Sequence, residues 1–262
     1  MSHSVANEPP NQCWSKHCLI VLIMRLFSDR IMIWIGVGVL TGCVPVAFSP
    51  PARSLPLESS ATLAEGDVAV QAAGGVHADG ATGGAAAVRG RFGLTSFLEA
   101  QVEASYLAIN YPHAYDRRSP HVGASRLGLK LAPIEHFAFV AGFGMGGHTH
   151  GAFASPDVGL IFAYENRYFV PWLALRGWVS VPINPKTRTV TSDDEIFVLR
   201  PYDTFGWQVS TGFRIPLTLD AEDNVRLNLL GGVALGWLHD LREEENLGFF
   251  QFETGVEIVF DP

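Results

Sequence analysis

The chain is poor in cysteine and in charged residues. All three cysteines, Cys13, Cys18 and Cys43, lie near the amino terminus, so the long remainder can hold neither a disulfide nor a thiolate metal site. Cys13 and Cys18 are spaced like half of a metal site, but no second pair of Cys or His follows at ligand spacing. Only 17% of the residues are charged and the net charge is −8, which argues against a nucleic-acid partner because phosphate binding requires clustered Lys and Arg.

Lysine is nearly absent, with Lys16, Lys130 and Lys186 as its three occurrences. A water-exposed β surface usually carries mixed charge, lysine above all, to prevent association between sheets. The chain is also 48% hydrophobic, and no stretch in its middle has the composition of an interdomain linker. We therefore expect one folded domain whose apolar excess requires either an apolar solvent or a large core.

A long apolar run is missing as well. The segment 31–39 is apolar and uncharged, but it is shorter than the roughly 20 residues of a transmembrane helix, and Asp29 and Arg30 precede it. Basic residues before a short apolar run, with small residues after it, are the layout of an export signal. Residues 1–42 are therefore interpreted as a targeting segment. Met24 would give such a signal a conventional start, so residues 1–23 are interpreted as a mis-called beginning.

The apolar run ends in Leu40-Thr41-Gly42-Cys43. This tetrapeptide is similar to the lipobox of bacterial lipoproteins, and the resemblance implies that the Cys43 thiol is acylated and becomes the mature amino terminus. The alternative is cleavage by ordinary signal peptidase a few residues later, after Ala47. Residues 43–66 are rich in Pro, Ser and Ala without periodicity, which predicts a lipid anchor followed by a flexible tether.

Residues 67–262 contain repeated segments in which apolar and polar residues alternate with a period of two, which is typical of β-strands and fits no helical period. In the clearest one, Phe205, Trp207 and Val209 share one face, and Gly206, Gln208 and Ser210 share the other. The strands are predicted near 67–77, 88–94, 98–106, 121–132, 136–147, 157–165, 168–181, 204–216, 225–238 and 249–260. The sequence thus predicts an all-β, antiparallel up-and-down barrel of about 10 strands, with a range of about 8 to 12.

Three features favour a transmembrane barrel with its apolar face outward. The polar face has little Lys or Thr, and the apolar faces end in aromatics such as Tyr106, Trp237 and Phe260. Tight connections near 95–96, 133–135 and 165–167 alternate with long ones at 107–120 and 182–202. An even strand number returns the carboxyl terminus to the periplasmic side, where we also expect the lipid on Cys43. A lipid-anchored soluble barrel in the periplasm, which would bind an apolar ligand inside, is the alternative that alternation leaves open.

Two stretches carry a family resemblance. Residues 91–99 read Arg-Phe-Gly-Leu-Thr-Ser-Phe-Leu-Glu, and the last strand ends at Phe260. The first resembles a frequent hairpin, and the second is similar to the terminal assembly signal, of small bacterial outer-membrane β-barrel proteins. The resemblance implies residence in the outer membrane, contact with its lipid and recognition by the barrel assembly machinery through the strand ending at Phe260. It implies no activity.

The charged residues of the inward face are expected to form a lumen network. Arg89 and Arg91 should lie beside Glu99 and Glu103 of the next strand, and Arg226 beside Glu253 or Glu257. The predicted network comprises Arg89, Arg91, Glu99, Glu103, Arg126, Arg176, Arg214, Arg226, Glu253 and Glu257, with Lys130 adding positive charge. We interpret these residues as structural ion pairs. A constricted polar path for small solutes is the functional alternative.

Catalytic signals are few. His148-Thr149-His150 places two imidazoles on one side of an extended segment, a geometry that can hold a metal, although such a pair in a loop is usually just polar. Asp193-Asp194 and His239-Asp240 resemble the two couples with which omptins, ten-stranded outer-membrane proteases, activate water. Nothing else of that family is visible, and no nucleophile elbow or phosphate-binding loop is present. The sequence therefore predicts a non-enzymatic outer-membrane barrel without metal or cofactor, with a structural, surface-interaction or minor small-solute transport role.

Overall fold

The structure is a computed structural model that describes residues 47–53, 55–78, 82–110, 121–148, 151–192, 195–199, 201–217, 225–242 and 246–261. Its regular elements are β-strands throughout. Within these ranges, no helix combines the length and the apolarity that crossing a membrane requires.

Fourteen strands follow one another along the described chain. They are β1 (Ala47–Phe48), β2 (Val68–Ala78), β3 (Thr82–Thr95), β4 (Leu98–Asn110), β5 (His121–Ile134), β6 (Phe137–His148), β7 (Gly151–Ala163), β8 (Val170–Ile183), β9 (Arg188–Ser192), β10 (Glu195–Leu199), β11 (Pro201–Tyr202), β12 (Thr204–Leu217), β13 (Val225–Asp240) and β14 (Asn246–Phe260).

Ten of these strands form one closed antiparallel barrel, in which β2 to β8 are followed by β12 to β14. The barrel closes where β14 pairs with β2, with Phe260 opposite Val68. The predicted all-β up-and-down barrel is therefore confirmed, with the strand number at the centre of the expected range. Closure gives every strand two partners, so the barrel has no open sheet edge that water would have to solvate.

The two faces of the barrel have opposite chemistry. Outward side chains are large and apolar, and Leu127 in the middle of β5 is 69% exposed. Inward side chains include many charged groups, and Glu99, Arg126 and Lys130 are all buried. Apolar side chains facing out and charged side chains facing in are the pattern of a barrel that spans a membrane. A soluble barrel with an apolar interior, the alternative that alternation left open, does not match these faces.

The two ends of the barrel differ in their connections. Residues 96–97 and 135–136 form tight turns at the end where β2 begins and β14 ends. The two longest connections, 111–120 and 184–203, leave from the opposite end. We call these the short-turn end and the long-loop end. The second long connection contains a hairpin of β9 and β10, which the sequence analysis treated as plain loop.

Aromatic residues cluster near the ends of the outward face. Trp207 and Trp237 stack with their ring centroids 4.3 Å apart. Phe205 is exposed near the long-loop end and Phe260 near the short-turn end. Such residues are favoured where a bilayer meets water, because one part of the ring system is apolar and the other tolerates polar headgroups.

Candidate functional site

The barrel lumen is occupied by the chain itself. Residues 49–53 and 55–64, which we call the lumen segment, run through the interior from one mouth to the other. Near the long-loop end, Ser180 donates a hydrogen bond to the carbonyl oxygen of Pro50 at 2.8 Å. Near the short-turn end, the backbone nitrogen of Leu63 donates to the Glu99 carboxylate at 3.1 Å. The expectation of a flexible tether over 43–66 is thus wrong for these described residues, most of which are buried.

Lumen arginines hold the backbone of the lumen segment. Arg89 donates to the carbonyl oxygens of Leu55 and Leu57 at 3.0 and 3.1 Å. Arg176 donates to the carbonyl oxygen of Arg53 at 3.1 Å. An extended segment without regular structure must find partners for its buried carbonyl groups, and each missing partner would be costly. The lumen arginines therefore hydrogen-bond to the backbone carbonyl groups of the lumen segment as well as to carboxylates of the wall.

Glycines of the barrel wall make room for the apolar side chains of the lumen segment. A Cβ atom added to Gly144 would lie 2.2 Å from the Cβ of Ala52, and one added to Gly75 would lie 2.8 Å from a methyl carbon of Leu55. Gly93 approaches the backbone so closely that an added Cβ would lie 1.8 Å from the Ala64 carbonyl oxygen. These distances are far below ordinary van der Waals contact, so larger residues there would exclude the segment.

The lumen segment also brings two charges into the network. Glu58 lies 2.6 Å from Arg53 of the same segment, and 3.5 and 3.6 Å from Lys130 and Arg89 of the wall. Arg53 in turn lies 3.4 Å from Glu103. Removing one member of such a buried set leaves the opposite charges without a partner in a confined interior. Glu58 therefore links the segment to the wall electrostatically.

Neither Arg53 nor Glu58 was predicted to join the network, because the composition of their stretch is that of a tether. A signal was nevertheless present, since the predicted inward face held more arginine and lysine than carboxylate. Such an excess requires further acids or another source of acceptors. The lumen segment supplies both, as the Glu58 carboxylate and as backbone carbonyl groups.

Several predicted neighbours do lie together. Arg89 contacts Glu103 at 2.8 Å, and Arg91 contacts Glu99 at 2.7 Å. Arg91 also contacts Glu257, which accepts a hydrogen bond from Asn228 at 2.8 Å. The Arg89–Glu103 and Arg91–Glu99 contacts join the adjacent strands β3 and β4, whereas Arg91 reaches Glu257 of β14 across β2.

The remaining predicted cations find carboxylates that the sequence analysis did not name. Arg126 and Arg176 share Asp157, at 2.6 and 3.3 Å. Arg214 contacts Glu165, which lies in the connection between β7 and β8. Asp157 escaped notice because the alternation of its segment is weak, which left the direction of its side chain undecided.

Two predicted members lie outside the expected pairs. Arg226 is 54% exposed at the short-turn end and contacts Asp67 and Asp261 at 3.1 and 2.6 Å, so the prediction that it pairs with Glu253 or Glu257 is wrong. Glu253 is buried in the lumen, and within the described ranges neither of its carboxylate oxygens has a hydrogen-bond or ion-pair partner. The register places Arg226 at the very end of β13, where its long side chain reaches the mouth.

A cluster of two acids and one arginine therefore marks the short-turn mouth. Burial raises the pKa of Asp67, and the hydrogen bond and charge of Asp261 raise it further, whereas Arg226 opposes them. Asp67 also joins the turn that follows the lumen segment, because its carbonyl oxygen accepts from Gly93 at 3.0 Å.

Of the two couples that resemble those of omptins, the structure describes His239-Asp240 alone. His239 lies at the long-loop end of β13 and contacts Asn246 at 2.9 Å, and Asp240 accepts a hydrogen bond from the backbone of Arg242 at 2.8 Å. Asp193 and Asp194 lie outside the described residues, as do Thr149, His150 and Cys43. In the described part of the chain, no group of three or more His, Cys, Asp or Glu could hold a metal ion.

The direction of the lumen segment corrects another expectation. Ala47 and Phe48 pair in parallel with Pro201 and Tyr202, at the long-loop end. The carboxyl-terminal strand ends at Phe260, beside Val68, at the short-turn end. The even strand number predicted that both termini of the mature chain lie on the same side. Residues 47–50 instead lie at the end opposite Phe260, because the chain crosses the lumen before the first barrel strand.

The fold is similar to solved membrane barrels. The N-terminal β-barrel domain of OprF from Pseudomonas aeruginosa matches with a TM-score of 0.35 and 12% identity, over 76% of this chain and 100% of that one. Neisserial surface protein A (NspA) gives 0.34 and 13%, over 76% and 100%. The outer membrane protease OmpT from Escherichia coli gives 0.38 and 9%, over 80% and 99%. No family model and no curated protein matches the chain.

Proposed function

We propose that the protein is a non-enzymatic barrel of the bacterial outer membrane that is closed by its own lumen segment and serves a structural or surface-interaction role. The observation that carries this proposal is the course of residues 49–53 and 55–64 through the lumen, with hydrogen bonds to the wall near both mouths. A narrow barrel with its interior filled by side chains and a segment of chain is a rigid support rather than an open conduit.

Outer-membrane residence is supported by the two faces of the barrel. A closed barrel satisfies every backbone group within the wall, which is what hydrocarbon requires of a spanning sheet. The outward face supplies the apolar band, and lipid is the solvent that it fits. Recognition of the strand that ends at Phe260 by the assembly machinery, and acylation of Cys43, remain predictions of the sequence.

The lumen argues against steady solute transport. One recess of about 330 Å³ opens beside Ala61–Ala64, and another of about 420 Å³ opens beside Tyr202 and Arg242. No residue lines both, and the lumen segment lies between them. Passage of a solute would therefore require the segment to move. The long-loop end, with connections 111–120 and 184–203, is then the part of the molecule that offers a surface to partners.

Planar-bilayer conductance tests this function. The purified full-length protein should give no lasting conductance, whereas a variant that lacks residues 49–63 should give open-channel steps. Heat-modifiable gel migration and resistance to carbonate extraction establish that each sample is a folded membrane barrel. Steady conductance by the full-length protein, equal to that of the deletion variant, would show that the segment does not close the barrel. Extraction of the folded protein by carbonate alone would overturn membrane residence.

A further inference from the structure

The lumen segment gives the chain an unusual path. Strand β2 begins at Val68 at the short-turn end, and 20 residues earlier β1 ends at Phe48 at the long-loop end. The chain between them crosses the full height of the barrel inside the wall. An extended chain covers about 3.3 Å per residue, so this length is ample for a band roughly 25 Å tall.

Both ends of this crossing are held by several contacts. At the long-loop end, the Ser49 backbone nitrogen donates to the Thr204 hydroxyl at 3.0 Å, and Ser180 bonds Pro50. At the short-turn end, Gly66 donates to the Gly93 carbonyl oxygen at 3.0 Å. The Ser60 hydroxyl donates to the Glu135 carbonyl oxygen, in a tight turn, at 2.9 Å. The direction of the crossing is therefore set by independent contacts at each mouth.

We infer that the amino-terminal end of the mature chain is displayed at the cell surface, on the side of the long loops, while the carboxyl terminus stays in the periplasm. The inference rests on the proposed outer-membrane function, since the long loops of such barrels face outward. It holds for processing at Cys43 and for cleavage after Ala47, because both sites directly precede the long-loop mouth.

The inference also locates the lipid. Cys43 lies four positions before Ala47, so the two are separated by at most about 14 Å. That reach cannot return an acyl chain to the periplasmic leaflet, because the band is roughly 25 Å tall and the lumen is occupied. If Cys43 is acylated, its lipid then lies in the outer leaflet, on the side of the long loops.

Site-specific proteolysis of intact cells tests this topology. A recognition site for a sequence-specific protease is inserted between Phe48 and Ser49, and in separate variants between Asp116 and Arg117 and between Asp220 and Ala221. The last two lie in connections at the long-loop end and the short-turn end. We expect cleavage in intact cells at the first two positions, and cleavage at the third only after the outer membrane is permeabilised.

The three variants separate the possible failures. Cleavage in intact cells at 116/117 but not at 48/49 would overturn the inference and leave the outer-membrane barrel standing. Protection at 116/117 in intact cells would overturn the proposed membrane placement itself. If the 48/49 insertion prevents folding, Phe48→Cys and Asp261→Cys give the same readout with a membrane-impermeant maleimide. Labelling of Phe48→Cys alone in intact cells supports the inference, and labelling of neither or of Asp261→Cys alone overturns it.

Discussion

Lys130 of the barrel wall and Glu58 of the lumen segment form a buried ion pair at 3.5 Å. Lys130 also donates a hydrogen bond to the carbonyl oxygen of Ala61, three residues further along the segment. One wall side chain thus binds both a charge and a backbone group of the segment that fills the barrel. The pair explains why a lysine-poor chain keeps a lysine in its interior, since the cation holds a segment that has no strand partners of its own.

Glu58→Gln should destabilise the folded protein by roughly 3 kcal/mol, because it leaves Lys130, Arg53 and Arg89 without one of their buried carboxylates. Urea unfolding in lipid vesicles, followed by tryptophan fluorescence, measures the change in the free energy of unfolding. Glu65→Gln is the matched control, since Glu65 is exposed in the turn after the segment and its loss should cost under about 0.5 kcal/mol. Equal effects of the two substitutions would contradict an electrostatic link between segment and wall.

Gly144→Ala should displace the lumen segment, because the new methyl group would lie 2.2 Å from the Cβ of Ala52. We expect a loss of about 1–3 kcal/mol in unfolding free energy and the appearance of bilayer conductance. Ala52→Gly in the same chain should restore part of both, since it removes the shortest contact and leaves the one of 2.9 Å between the added Cβ and the Ser125 carbonyl oxygen. Gly147→Ala on the same strand is the control, because an added Cβ there meets nothing within 4 Å. If the double variant has the same unfolding free energy and conductance as Gly144→Ala alone, the clash does not involve Ala52.

Leu127→Arg should destabilise the barrel in vesicles by about 2–4 kcal/mol, because Leu127 lies at the middle of the outward face of β5. Ile134→Arg, at the short-turn end of the same strand, should cost only about 0–1 kcal/mol, since an arginine there reaches the interface. The two residues are similarly exposed, at 69% and 64%, so the comparison isolates depth in the membrane. A soluble barrel would tolerate both substitutions equally, and that outcome would remove the basis of the membrane assignment.

Asp67→Asn should change the pH dependence of stability. The pKa of Asp67 is raised in the folded protein from its ordinary 3.8, so the folded state retains a proton that the unfolded state releases. Stability therefore falls as pH rises from about 4 through the raised pKa. As pH rises across this window, the unfolding free energy of the wild type should fall relative to that of Asp67→Asn. A difference that stays flat with pH would show that Asp67 titrates alike in both states.

The barrel itself could be predicted from the sequence, because its information is local. Side chains of a strand alternate between its two faces. Residues such as Phe205, Trp207 and Val209 can therefore be assigned to one face from the local sequence alone. Register follows from the same alternation, which is why Arg89 and Arg91 could be paired with the carboxylates of the next strand. Where alternation was weak, as around Asp157, the sequence did not show which face a side chain occupies.

The lumen segment could not be predicted in this way. Its residues have no periodicity, and a stretch rich in Pro, Ser and Ala has the same composition in a solvated tether as inside a barrel. A lumen segment differs from a solvated tether in the partners that it contacts, such as Arg89 for its carbonyl groups and Gly144 for Ala52. Those partners lie on strands far along the chain. The predicted pairing of Arg226 was wrong for a related reason, since its position at a strand end lets the side chain leave the lumen.

The sequence by itself determined a β-barrel whose strands have one apolar and one polar face, because the alternation of a strand depends on neighbouring residues alone. Only the tertiary structure decided that the interior is filled by the chain and that residues 47–50 lie at the end of the barrel opposite Phe260. Those features depend on cavity volume, on unsatisfied lumen charge and on the direction of one extended crossing. Each arises only when all ten strands close around the same space.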